Sequence, residues 1–110
     1  MKTPEFTLEV IREHFYSAVL SDALDSLGYR RQSPPLDFLP VSGIRKMAGR
    51  CKTTLWADMA HEDPKPYDLE LQAVDGCKAG DIFIAAAGGS LRSGIWGELL
   101  TTAARNSGCV

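Results

Sequence analysis

With 110 residues, 45% of them hydrophobic and 24% charged, the chain has the make-up of an ordinary globular protein with room for one domain and a single core. Its net charge of −2 lacks the basic excess that nucleic acid or an anionic membrane would attract, so function must come from a local site. No apolar run approaches the length of a membrane span, and Met1-Lys2-Thr3-Pro4 leads into an amphipathic segment rather than a signal-peptide core, which makes a cytoplasmic location the default.

Leu8, Ile11 and Phe15 recur at helical spacing, with Glu9, Arg12 and Glu13 on the other side, and predict a short amphipathic helix whose role is packing. A second helix is predicted over Ser21-Asp22-Ala23-Leu24-Asp25-Ser26-Leu27, where Ser21 suits the N-cap, Asp22 the positive end of the macrodipole and Gly28 the C′ position. Asp22 and Asp25 are accordingly macrodipole partners before they are metal ligands or acid–base groups. From Tyr29 to Pro40 three prolines and the lack of an apolar period predict a surface loop, on which Arg30 and Arg31 form a solvated pair rather than an anion site.

Ile44 to Met59 is strand material interrupted at Gly49. Cys51, Thr53, Leu55 and Ala57 alternate with Arg50, Lys52, Thr54 and Trp56, which predicts one buried face. His61-Glu62-Asp63-Pro64-Lys65-Pro66 is a polar loop whose histidine beside two acids is weak support for a metal. Leu69, Ala73 and Val74, following Asp68 as N-cap, predict a helix ending near Gly76. Cys51, Cys77 and Cys109 are odd in number, widely spaced and without a CxxC pair, so they are free, buried thiols; nothing nearby would lower a thiol pKa for catalysis.

The most informative stretch is Lys78 to Asn106, which reads as turn, strand, glycine-rich loop and helix. Ala79-Gly80-Asp81 is the turn, and Ile82-Phe83-Ile84 followed by Ala85-Ala86-Ala87 is a strand buried on both faces. Gly88-Gly89-Ser90-Leu91-Arg92-Ser93-Gly94 suits no regular element. From Ile95 a helix is predicted with Ile95, Leu99, Thr102 and Ala103 on one face and Glu98, Thr101 and Arg105 towards the other, stopped by Asn106-Ser107-Gly108. The first amides of a helix have no internal partner and sit at the positive end of its dipole, so glycines before them open a place for a carboxylate or phosphate. Spacing alone favours a plain strand-to-helix connection, because neither G-x-G-x-x-G nor G-x-x-x-x-G-K-[ST] is present. The alternation of elements predicts an α/β domain, and Gly108-Cys109-Val110 has the character of a further strand, as in a fragment of a longer polypeptide.

Several segments match one family in order: Ser21-Asp22-Ala23-Leu24-Asp25-Ser26-Leu27-Gly28, Met47-Ala48-Gly49-Arg50-Cys51-Lys52-Thr53, Gly80-Asp81-Ile82-Phe83-Ile84, and Gly88-Gly89-Ser90 through Trp96-Gly97-Glu98-Leu99-Leu100 to Ala103-Ala104 and Gly108. Over nearly its whole length the chain resembles the 4-hydroxy-4-methyl-2-oxoglutarate aldolases and the related regulators of ribonuclease activity A. The resemblance implies one α/β domain over residues 1–110, a swivelling β/β/α-type fold with N-terminal helices, cut at the start of a strand.

For function, the resemblance implies a substrate site in which the backbone of Gly97, Glu98, Leu99 and Leu100 holds the carboxylate and keto oxygen of pyruvate. It places the substrate arginine and the aspartate that carries a divalent ion, magnesium or manganese, in a Gly-x-x-Arg-Asp segment beyond Val110, so an isolated fragment is expected to be inactive. Ala86 stands where many members have aspartate. The implied reaction is retro-aldol cleavage of 4-hydroxy-2-oxo acids to pyruvate, with oxaloacetate decarboxylation beside it. That chemistry needs no Schiff-base lysine, and Lys46, Lys52, Lys65 and Lys78 are surface cations. The resemblance also implies a homotrimer or hexamer with the site at a subunit boundary, or alternatively a non-catalytic regulator that docks on a ribonuclease.

Overall fold

The computed structural model describes residues 5–110, so the Met1-Lys2-Thr3-Pro4 lead-in lies outside the described residues. The fold is α/β, and the chain divides into two compact units, Met1–Ala48 and Gly49–Val110. No helix among the described residues is long and apolar enough to cross a membrane.

The first unit carries α1 (Leu8–His14) and α2 (Ser17–Ser26). Thr7 caps α1, its Oγ1 accepting from the Val10 amide at 3.3 Å. Phe15 is the C-cap rather than part of the helical face; it is extended, and its ring meets that of Phe6 edge-on at 5.7 Å. Because Tyr16 is extended as well, the two helices are separate, and α2 starts at Ser17 rather than after Ser21. Ser17 to Leu20 contain no glycine or proline, so once a turn has formed nothing in them stops its propagation. Ser21 therefore lies inside the helix, and Asp22 and Asp25 are exposed beyond its first turn, which removes their macrodipole role.

The C-terminus of α2 follows the sequence closely. Gly28 adopts φ +92° and donates to the Asp25 carbonyl at 3.0 Å while the Tyr29 amide reaches that of Leu24 at 2.8 Å, the paired bonds of a Schellman motif. Tyr29 to Pro40 is irregular and exposed as predicted, with Arg30 and Arg31 in solvent.

The second unit contains β1 (Arg50–Leu55), α3 (Asp68–Asp75), β2 (Asp81–Ala86) and α4 (Glu98–Asn106). β1 and β2 run parallel in register from Arg50 opposite Asp81 to Leu55 opposite Ala86, with α3 as the crossover. Helices α3 and α4 pack together, and Val74, Cys77 and Ala104 form the buried apolar centre. Asp81 is buried beside them, and its carboxylate is satisfied by the Lys78 amide at 2.8 Å across the turn that holds Gly80 at φ +84°. Tyr67, not Asp68, is the N-cap of α3, and Asp68 opens the helix itself, where its charge still favours the dipole.

Two predicted strands depart from what the sequence suggests, one in length and one in burial. β1 covers only Arg50–Leu55 of the Ile44 to Met59 stretch, since pairing lasts only as long as the six-residue partner β2. Within it Lys52 and Thr54 are half-buried while Leu55 is 88% exposed. β2 matches its prediction in position but is not covered on both faces: Ile84, Ala85 and Ala86 are exposed, because among the described residues no second layer packs there.

After α4 the chain turns alongside β2. The Gly80 amide donates to the Gly108 carbonyl and the Val110 amide to the Asp81 carbonyl, each at 2.9 Å. Arg50 and Trp56 take the even-numbered carbonyls of Gly80 and Ala86, so Val110, on an odd-numbered one, occupies the edge of β2 away from β1. Gly108-Cys109-Val110 thus lies along the sheet edge with two backbone bonds but forms no further strand, and Val110 is exposed rather than buried.

The cysteines are all free, as expected, but differ in burial: Cys77 is buried, Cys109 half-buried and Cys51 exposed, since Cys51 points to the uncovered side of β1. Desolvation first, then the neighbouring Cys77 thiol and Asp81, push the Cys109 thiol up from 9.0 to about 11. The contribution to stability is fully present below 9.0, because both states are then protonated, and is lost as pH rises through about 11 and the folded state resists ionising. Alkylation of the native protein at pH 8 is expected to mark Cys51 at least about tenfold faster than Cys109, read by peptide mass spectrometry. Equal rates would contradict this burial order.

Candidate functional site

β2 ends at Ala86 and is followed by Gly88 at φ +63° and Gly89 at φ +76°, a reversal that a residue with a Cβ adopts only under strain. The Ser90 amide closes the turn on the Ala87 carbonyl at 3.2 Å. The loop then runs to Gly97, which is extended (φ −158°, ψ −175°) and is the N-cap of α4.

The helix starts at Glu98 rather than Ile95, and Trp96 supplies the reason. Its ring packs on Phe83 of β2 with centroids 4.8 Å apart. Its indole Nε1–H donates to Thr101 Oγ1 at 2.8 Å, and that hydroxyl donates to the Gly97 carbonyl at 3.1 Å. This arrangement fixes the chain in a non-helical path until Gly97. The packed face is Leu100, Ala103, Ala104 and Ser107, one position on from that predicted. Leu99, predicted to pack, is 86% exposed, and Thr102 is exposed too.

The first intrahelical bond is from the Thr101 amide to the Gly97 carbonyl at 3.0 Å. The amides of Glu98, Leu99 and Leu100 meet no protein acceptor among the described residues, and no side chain caps this end. Glu98 and Leu99 are exposed and Leu100 is half-buried. A Cβ placed on Gly97 would meet nothing within 4 Å, so the approach to the amides is open. An open concavity of about 490 Å³ lies along Glu98, Thr101, Thr102, Arg105 and Asn106; of the four predicted residues only Glu98 lines it, so it flanks the amides rather than enclosing them.

Asp58, beyond the end of β1, is a participant that sequence reasoning missed. Its carboxylate accepts from Ser93 Oγ at 2.7 Å and from Ser90 Oγ at 2.8 and 2.9 Å. Ser90 Oγ in turn accepts from the Arg92 amide at 3.2 Å, and Arg92 Nη2 donates to the Met59 carbonyl at 2.9 Å. The Ser93 and Ser90 hydroxyls, in that order, hold the Asp58 carboxyl below its ordinary value of 3.8; desolvation opposes them, and the Arg92 charge adds the least. The contacts are therefore complete at neutral pH and are lost only as pH falls below about 3.8. Nothing in local spacing could have shown this: the acid and its serines are 32 and 35 residues apart and meet only because β1 and β2 are parallel neighbours.

Among the described residues no group of three His, Cys, Asp or Glu side chains is placed to hold a metal ion. His61 and Glu62 lie on an exposed loop, and the Asp63 carboxylate there accepts from the Lys65 amide at 2.8 Å. Lys46, Lys65 and Lys78 are exposed and Lys52 is half-buried, as surface cations would be.

A family model described as RraA-like, Aldolase/RraA, matches residues 17–110. The chain belongs to the RraA-like family. The match begins with α2 and takes in every later element, the glycine-rich loop and the start of α4 included. No curated protein and no solved structure matches the chain significantly. The RraA-like family holds both aldolases and ribonuclease-regulator members, so membership narrows the chemistry without choosing between them.

Proposed function

We propose that this RraA-like chain supplies the 2-oxo-acid binding portion of a metal-dependent aldolase that cleaves 4-hydroxy-2-oxo acids, such as 4-hydroxy-4-methyl-2-oxoglutarate, to pyruvate, with oxaloacetate decarboxylation as a side activity. Gly97, Glu98, Leu99 and Leu100 are the substrate-binding residues in this reading. The observation that supports it is the row of three unpartnered amides at the start of α4, open to solvent past an unobstructed Gly97. Amides in that position suit a carboxylate, and a keto oxygen gains charge as the C3–C4 bond breaks and its electrons pass into a pyruvate enolate. Fixed N–H dipoles favour that charge at no cost of reorganisation. Glu98 places its own carboxylate at the same end, which favours the helix dipole but repels an anion, so the backbone rather than this side chain is assigned the binding role.

The family reading implies a divalent ion, magnesium or manganese, but the donors among the described residues do not fit one. The same reading carries assembly as a homotrimer or hexamer. The test, made on the protein expressed from its complete reading frame, is pyruvate release from 4-hydroxy-4-methyl-2-oxoglutarate and from oxaloacetate, with and without magnesium, beside a titration with pyruvate followed at the amides of Glu98, Leu99 and Leu100. Shifts at those amides together with metal-dependent release are expected. Turnover of neither acid, with silent amides, would move the assignment to a ribonuclease-binding regulator.

A further inference from the structure

The loop between β2 and α4 has almost nothing apolar holding it. A Cβ at Gly88, Gly89, Gly94 or Gly97 would meet open space, and Leu91 at its tip is fully exposed. With two glycines at positive φ the unfolded alternatives of such a segment are many, and ordering it carries a large entropic cost. Two anchors oppose that cost. At the exit Trp96 packs on Phe83; at the tip the ties run to Asp58 and, through Arg92, to the Met59 carbonyl.

We propose that Asp58 is the positioning residue of this loop: one carboxylate beyond β1 gathers the Ser90 and Ser93 hydroxyls and so holds the segment leading into α4 in a single conformation. Each hydroxyl donates to an ionised acceptor, which makes these bonds stronger than neutral ones, and both end on the same side chain. Ser90 also takes the Arg92 amide, so losing the carboxylate frees the hydroxyl that shapes the turn. Asp58 bonds to Ser90 and Ser93 and not to the helix-start amides. Its effect on pyruvate passes through the loop, and this consequence rests on the proposed function above.

The test uses Asp58→Ala, Asp58→Glu and a Ser90→Ala/Ser93→Ala double variant in the same protein. Asp58 is exposed, so the fold is expected to persist, which unchanged protection of Val74 and Ala104 amides verifies. Amide exchange at Ser90 and Arg92 is expected to quicken about tenfold in Asp58→Ala and in the double variant, and to be partly restored in Asp58→Glu. Pyruvate affinity is expected to fall about fivefold in the first two, with recovery in the third. Unchanged loop exchange overturns the positioning role outright. Faster exchange with unaltered pyruvate affinity overturns its link to the site. If the unmodified protein shows no pyruvate response, the proposed function fails, while loop exchange still decides whether Asp58 holds the loop.

Discussion

Gly108→Ala is expected to destabilise the Gly49–Val110 unit by roughly 2 to 5 kcal/mol, combining the left-handed backbone penalty with overpacking, whereas Gly28→Ala is expected to cost its own unit only about 1 to 2 kcal/mol. The two glycines make a matched pair. Both are the C′ residue of a Schellman motif, at φ +92° for Gly28 and φ +94° for Gly108. Their surroundings differ: a Cβ on Gly28 meets nothing within 4 Å, while one on Gly108 would lie 2.7 Å from the Ala79 Cα and 3.2 Å from its amide nitrogen. Backbone cannot swing aside as a side chain can, so the turn at Ala79-Gly80 would have to move, and with it the bond from Gly80 to the Gly108 carbonyl. Both tryptophans, Trp56 and Trp96, belong to the second unit, so urea unfolding followed by fluorescence reads Gly108→Ala directly. Equal costs at the two positions would mean that conformation alone, and not close approach, selects glycine at 108. Gly49→Ala should resemble Gly108→Ala, because its Cβ would run into the Gly80 carbonyl and come within 2.9 Å of Ile82 Cγ1.

What the sequence discloses here is mainly punctuation. Gly28, Gly76 and Gly108 each stand at the close of a helix as their position predicts, and Asp81 opens the strand that Ala79-Gly80 introduces. Helix beginnings are less legible. Ser21 and Asp68 have the chemistry of N-caps, yet the caps are Tyr16 and Tyr67, which place no side-chain bond on their helices. In α2 the preceding Ser17-Ala18-Val19-Leu20 simply continues as helix, and a good capping side chain cannot stop a helix that has already nucleated. The face of α4 fails for a related reason. Ile95 and Leu99 satisfy the period, but Trp96 binds Phe83 and Thr101 and delays the helix by three residues, a tertiary contact invisible to any periodicity. The candidate site is legible at its amides, which depend only on where a helix begins after glycine. It is illegible at Asp58, whose partners become neighbours only once β1 and β2 are paired.

In the protein expressed from its complete reading frame, Glu98→Pro is expected to lower kcat/KM for pyruvate release by about 100-fold while Glu98→Gln stays within about threefold, if the amides at the start of α4 stabilise the forming enolate. The contrast works because proline at the first helical position removes one N–H that the helix never uses, and its ring fixes φ near the helical value. Proline also asks that the residue before it be extended, and Gly97 already is, at φ −158° and ψ −175°. The helix should therefore survive, with a stability change within about 0.5 kcal/mol, since Glu98 is exposed and engages no ion pair among the described residues. Glu98→Gln removes the carboxylate and keeps the N–H, so the difference between the variants isolates the donor. The kinetic constants then locate its action. A fall confined to kcat means that the amide acts on charge appearing in the transition state, while a rise confined to KM means that it holds the carboxylate equally in both states. If proline and glutamine behave alike, the Glu98 amide plays no part, and whatever Glu98 does is done by its side chain.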